Sequence, residues 1–194
     1  MPLDIVILGP PGAGKGTQAR RISGELGIPH VATGDMLREA MAAGTELGLQ
    51  VRPIYDRGEL VPDELMVELI RERLDDADAE TGFILDGFPR TIDQVEALDR
   101  MLAELDREVS IVFEFQLEEE VAVKRLMRRA AEEGRSDDTP GVVRYRFSVF
   151  CERTAPLVAH YRAQGKLLGI HADRSIDQVF AELQQALDHV AVRE

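Results

Sequence analysis

A chain of 194 residues, 44% hydrophobic and 30% charged with a formal net charge of −13, can bury a real core and fits one domain with small inserted lobes. The acidic balance argues against a nucleic-acid partner, which calls for a broad surplus of Lys and Arg, and the single cysteine, Cys151, leaves no internal disulfide and no multi-cysteine zinc site. The apolar run Ile5 to Leu8 is too short for a signal segment or a membrane span and follows Asp4, so the expectation is a cytoplasmic chain with no membrane partner and no structural zinc.

The elements follow in chain order. Ile5 to Leu8 is a β-branched run ending at Gly9 and predicts a strand. A helical pattern from Lys15 to Leu26 stops at Gly27, a residue suited to the left-handed backbone that closes helices. His30 to Ala32 is a weaker strand candidate. Helical spacing resumes over Met36 to Ala43, with Asp35 and Met36 as helix-start residues, and over Glu46 to Asp56, where Pro53 should end or kink the helix. Pro62, in a first helical turn, opens a helix to Leu74. The strand Phe83 to Leu85 precedes a helix from Thr91 to Leu105, and the strand Ile111 to Phe113 precedes one from Glu118 to Ala131. A long helix from Val142 to Gln164 closes at Gly165. Leu167 to Ile170 is the last strand, and a helix from Ser175 to Val192 opens with a Ser175–Gln178 capping box. Such alternation predicts an α/β fold with a doubly wound, five-stranded parallel sheet covered on both faces.

The first strand runs into GPPGAGKGTQ, Gly9 to Gln18, and then into a helix. Glycines let the backbone wrap closely, and successive amides plus a helix N-terminus make an anion cradle to which Lys15 adds a point charge. The phosphate-loop pattern G-x-x-x-x-G-K-[ST] departs at its last position, where Gly16 stands and the hydroxyl follows at Thr17. Asp86 ends the run GFILD; at the C-terminal edge of a parallel strand it faces the ligand crevice, where phosphate-loop proteins hold Mg²⁺ directly or through water. Coordination through water is the expectation here.

The stretches GPPGAGKGTQ, TGDMLR at 33–38, GELVPDE at 58–64, LDGFPRTIDQ at 85–94, the arginine-rich 125–146 and PLVAHYRAQG at 156–165 together resemble the adenylate kinase family from end to end. The resemblance implies a fold like that of phosphate-loop nucleoside triphosphate hydrolases, with a core (1–31, 62–127, 139–194), an AMP-binding lobe at 32–61 and a short lid at 128–138, both lobes mobile. It places Gly12, Ala13, Gly14, Lys15, Gly16, Thr17, Arg125, Arg129 and Arg174 at ATP. Thr33, Arg38, Glu59, Leu60, Val61, Gly87, Phe88, Pro89, Arg90, Gln94, Arg135 and Arg146 fall at AMP. Lys15, Arg90, Arg125, Arg129, Arg135 and Arg146 would act on the moving phosphoryl group, with Mg²⁺ at Asp86 and Asp137-Asp138 at a lid hinge. Arg128 and Arg144 match no role and are expected on a solvated helix face. A monomer is the family expectation.

The residue types suit those roles. Arg38 and Arg90 can grip a phosphate with two parallel hydrogen bonds, which lysine cannot, and Gln94 offers a donor and an acceptor to an adenine edge beside the apolar Leu60 and Val61. The implied reaction is Mg·ATP + AMP ⇌ 2 ADP. Its acceptor oxygen is already anionic, so no general base is needed, and His30, His160, His171 and His189 sit in none of these motifs. A UMP or CMP kinase on the same fold is the nearest alternative, and a phosphate-loop switch the alternative of another class. Three places depart from the family pattern: Pro53; Pro140-Gly141, which would shift the next helix start or stiffen the hinge; and Arg174, which must point away from the base or stack on it.

Overall fold

In the computed structural model, which describes residues 2–133 and 139–191, the five apolar runs form one all-parallel sheet. The strands are β1 (Leu3–Leu8), β2 (His30–Ala32), β3 (Gly82–Asp86), β4 (Ile111–Gln116) and β5 (Leu167–His171), in spatial order β2-β3-β1-β4-β5. The helices are α1 (Lys15–Leu26), α2 (Thr33–Ala43), α3 (Glu46–Asp56), α4 (Asp63–Leu74), α5 (Ile92–Ala103), α6 (Glu119–Glu133), α7 (Pro140–Val149), α8 (Pro156–Ala163) and α9 (Ile176–Ala191). Among the described residues no helix is long and apolar enough to cross a membrane.

The period of two along β1 explains its unbroken apolar run. Ile5 and Ile7 join the core with Ile22 of α1 and Leu183 of α9, whereas Val6 and Leu8 join Ile70 of α4, Leu98 of α5 and Leu157 of α8 on the other face. With both faces covered, neither set of positions can be polar. The β1–β3 register pairs Ile7 with Asp86, so the loop leaving β1 and the carboxylate ending β3 emerge side by side.

Several boundaries differ from the sequence reading, each for a local reason. The helix expected over Val142 to Gln164 is three pieces: α7 starts earlier, at Pro140, and gives way to a π-helical turn over Phe150–Thr154 before α8. Ala155 N–H donates to the carbonyl five residues back, on Phe150, at 2.9 Å, and Pro156, which has no N–H, begins α8 at a position where none is needed. Thr139 caps α7 through Val142 N–H, with Pro140 in the first turn. Pro53 does not end α3. The carbonyl it leaves unserved is on Leu49, 64% exposed and so open to water, while Arg52 ties α3 to the Met41 carbonyl of α2 at 2.6 Å. Gly48 lies so close to the Ala40 carbonyl that any Cβ there would overlap it, which lets α2 and α3 pack directly. Pro62 is the residue before α4 rather than part of its first turn, and α2 begins at Thr33, three residues before the periodicity suggests. The stops at Gly27 and Gly165 and the Ser175–Gln178 box form as expected.

At the opposite end of β1 from the phosphate loop, Asp4 is buried and paired with Arg107, whose Nε donates to Oδ2 at 2.9 Å and whose Nη2 donates to Oδ1. Arg107 also donates to the Ala79 carbonyl at 3.0 Å and lies over the Phe83 ring. Burial pushes the Asp4 carboxyl up, and the Arg107 hydrogen bonds and charge oppose that push. Arg107→Ala would strand a buried carboxylate, so it should lower unfolding stability by roughly 3–5 kcal/mol in a denaturant titration. A loss under about 1 kcal/mol would show that the pair is not a structural tie.

Candidate active site

The loop between β1 and α1 forms the floor of a cleft of about 360 Å³. Gly14 precedes α1 in a left-handed conformation and no side chain caps the helix, so the N–H groups of its first turn remain for an anion. Lys15 curls back over the loop and donates from Nζ to the Gly9 and Pro10 carbonyls, both at 2.9 Å. Burial pulls its ammonium down to about 8; the Asp86 charge opposes the shift, and Arg90 and Arg129 add to it.

Asp86 lies across the loop from Lys15. Burial alone would raise its carboxyl, yet His30 Nε2, 3.4 Å from Oδ2, and the Lys15 charge hold it below the usual carboxylate range. It is therefore anionic at neutral pH. Among the described residues no group of three or more His, Cys, Asp or Glu could cage a metal ion. A single hard carboxylate beside a phosphate cradle suits Mg²⁺, which keeps most of its water and takes the rest of its ligands from nucleotide oxygens.

The turn after β3 builds the other half. Gly87 has φ 89°, and a side chain there would collide with Thr33 Oγ1, which donates to the Asp86 carbonyl at 3.3 Å. Arg90 Nε folds back to the Gly87 carbonyl at 2.7 Å, and its own carbonyl accepts from Thr154 in the π-helical turn at 3.1 Å. Burial among these walls draws the Arg90 guanidinium down, although it stays charged and its side chain opens into the cleft. Gln94 is buried with both ends of its amide in use: Oε1 accepts from Arg90 N–H at 2.7 Å and Nε2 donates to Asp63 at 2.6 Å. One N–H and one lone pair remain for a base. Glu59, Leu60, Val61, Pro89, Arg38 and Arg146 complete this half, with the Glu59 carboxylate held by Arg57 at 2.8 Å. Phe88 turns into the core instead of the cleft.

Behind the loop an adjoining hollow is lined by Gly12, Ala13, Thr17, Arg125, Arg129 and Arg174. Arg125 donates to the Ala172 carbonyl at 3.0 Å. Arg174 turns toward α9, donating to Glu182 and, at 2.9 Å, to the His171 carbonyl. Arg128 and Arg144 are exposed as expected, Arg128 pairing with Glu132 at 2.8 Å. Arg135, Asp137 and Asp138 lie outside the described residues, and of the 128–138 segment residues 128–133 are the end of α6.

Sequence reasoning missed four residues that shape the site. His30 reaches Asp86 because β2 lies beside β3; Asp63 anchors both Gln94 and Thr91; Thr154 holds the Arg90 carbonyl; and Tyr55 meets two arginines. Asp63 stood in the quoted GELVPDE stretch and was legible there, whereas the other three depend on which elements neighbour each other.

A phosphate loop at the carboxyl end of a parallel sheet, facing an arginine cluster across a strand-terminal carboxylate, defines a phosphate-loop enzyme with two anion-binding halves. A model of the adenylate kinase family matches residues 7–166. The chain is 50% identical over 183 residues to an adenylate kinase of Thermus thermophilus, covering 94% of this chain and 96% of that one. It is 48% identical over 186 residues to an adenylate kinase of Maricaulis maris, covering 96% and 99% of the two chains. The chain belongs to the adenylate kinase family and is an enzyme, a phosphotransferase.

Lys15 yields a prediction with a definite sign. In the free protein its ammonium loses the proton near pH 8, while bound polyphosphate favours the charged form and raises the pKa. ATP binding at about pH 8.5 should therefore take up protons, seen by calorimetry in buffers of different ionisation enthalpy, and the uptake should vanish in Lys15→Met. Equal heats in all buffers for the unaltered protein would contradict this placement of Lys15.

Proposed function

We propose that the cleft carries out Mg·ATP + AMP ⇌ 2 ADP, with the ATP phosphates on the Gly12–Thr17 backbone and Lys15, and AMP against Thr33, Arg38, Glu59 to Val61, Gly87, Pro89, Arg90 and Gln94. The observation that carries this reading is the presence of two anion-binding halves in one cleft: Lys15 and the uncapped N-terminus of α1 on one side, and Arg38, Arg90 and Arg146 on the other. A nucleotide switch would need only the first.

The transfer joins an oxygen of the AMP phosphate to the terminal phosphorus of ATP while the bond from that phosphorus to the bridging oxygen breaks, and ADP leaves with the electron pair. No side chain must remove a proton, because the attacking oxygen is already an anion. The work of the chain is to hold two polyanions in line and to balance charge on the moving group. Arg90, fixed at its backbone by Gln94 and Thr154, faces both phosphates; Arg129 and Arg125 approach from the ATP side, and Arg146 from the acceptor side. Arg135 belongs to this set by family resemblance. Asp86 would hold Mg²⁺ through water, and the ion when bound neutralises phosphate oxygens. The hollow beside Arg125 and Arg174 is the place for the ATP base. Residues 32–61, built of α2 and α3, are the lobe that closes over AMP and keeps water from ATP. The protein works as a monomer in the cytoplasm on ATP, AMP and ADP, and its −13 charge, which keeps copies apart, supports that.

Arg90→Ala should lower phosphoryl transfer to AMP by ~10³-fold or more in a coupled ADP assay, and Arg90→Lys should recover little of it because a point charge lacks the fork. The unaltered protein should prefer AMP over GMP, UMP and CMP. Arg90→Ala turnover within about tenfold of the unaltered enzyme would overturn the reading.

A further inference from the structure

Tyr55 is absent from the motifs that define the site, yet it touches the guanidinium groups of both halves of the acceptor pocket. Its hydroxyl oxygen accepts from Arg38 Nη1, while Asp35 accepts from Arg38 Nη2. Its main-chain carbonyl accepts from Arg146 Nη2 at 3.2 Å, and its ring lies beneath the Arg146 guanidinium at 5.2 Å. Arg38 stands on α2 and Arg146 on α7, 108 positions further along the chain, so Tyr55 on α3 spans the boundary between the 32–61 segment and the core.

We propose that Tyr55 is a positioning residue that presets Arg38 and Arg146 as a pair for the acceptor phosphate. Two guanidinium groups brought to one anion repel each other before the anion arrives, and each long side chain loses rotamer freedom when it binds. Tyr55 meets both costs in advance. Its hydroxyl fixes the Arg38 fork, leaving further N–H groups of that guanidinium for phosphate, and its ring offers Arg146 a negative π face that does not compete for the anion. The hydroxyl's own proton remains a donor at the wall of the cleft, which Tyr55 lines.

The inference rests on the assignment of this pocket to AMP, and the experiment separates the two. Tyr55→Phe removes the hydroxyl and keeps the ring: the KM for AMP should rise roughly tenfold while kcat and the KM for ATP stay within about twofold. Tyr55→Leu removes the ring as well, and kcat should fall a further roughly fivefold as Arg146 loses its seat. In an Arg38→Ala background, Tyr55→Phe should change kcat/KM for AMP by less than about twofold, since the partner of the hydroxyl is gone. The proposal is overturned if Tyr55→Phe leaves the KM for AMP unchanged, if it moves the ATP and AMP constants equally, or if its effect persists without Arg38. The Phe variant decides the matter even if the Leu variant does not fold. Should the unaltered enzyme fail to use AMP, or Arg38→Ala leave AMP turnover intact, the pocket assignment itself would fall, whatever Tyr55 does.

Discussion

Arg90 and Arg129 lie near enough to Lys15 to oppose its charge, and burial deepens that opposition by removing the water that would screen the Lys15 ammonium. Such a cluster opposes folding unless something rigid holds it. Here the holders are backbone: the Gly9 and Pro10 carbonyls under Lys15, the Gly87 carbonyl under Arg90, and the Arg90 main chain clasped by Gln94 and Thr154. Asp86 is the nearby countercharge, kept ionised in spite of its burial. On the proposed function, the negative charge of substrates relieves this tension, most of all where charge is concentrated on the phosphoryl group in flight.

The parallel sheet makes the arrangement possible at small scale. Pairing Ile7 with Asp86 brings the phosphate loop and the acceptor turn to the same edge, and the apolar residues of β1 anchor that edge in the clusters on both faces of the sheet. The Asp4–Arg107 pair closes the far end of the same strand, away from the cleft. One end of β1 is thus neutralised within the protein, and on the proposed function the other is neutralised by ligand.

Much of this was legible in the sequence because it is local. Strand, loop and helix follow one another without interruption from Ile5 to Leu26, and the Ser175–Gln178 box and Gly27 need only their own neighbours. What was not legible depends on distant partners. Pro53 reads as a break, but packing of Gly48 on Ala40 carries the helix through it; the sequence reading runs one helix through Pro156, whereas a widened turn closed by the Ala155–Phe150 hydrogen bond precedes α8 there, and that turn brings Thr154 to Arg90. Arg174 lines the hollow behind the phosphate loop, and what the sequence could not show is that Glu182 on α9 holds its guanidinium there. Gln94 kept its place in the cleft but not its independence, since Asp63 and the Arg90 N–H already use its amide.

The central claim is that the two anion-binding halves work together as one two-nucleotide site. Calorimetric titration with a bisubstrate analogue, two adenosines joined through five phosphates, tests it most directly. The account predicts one equivalent bound at least ~10²-fold more tightly than ATP or AMP alone, with Arg90→Ala removing most of that gain. An affinity no better than that of ATP, with the second adenosine contributing nothing, would contradict it.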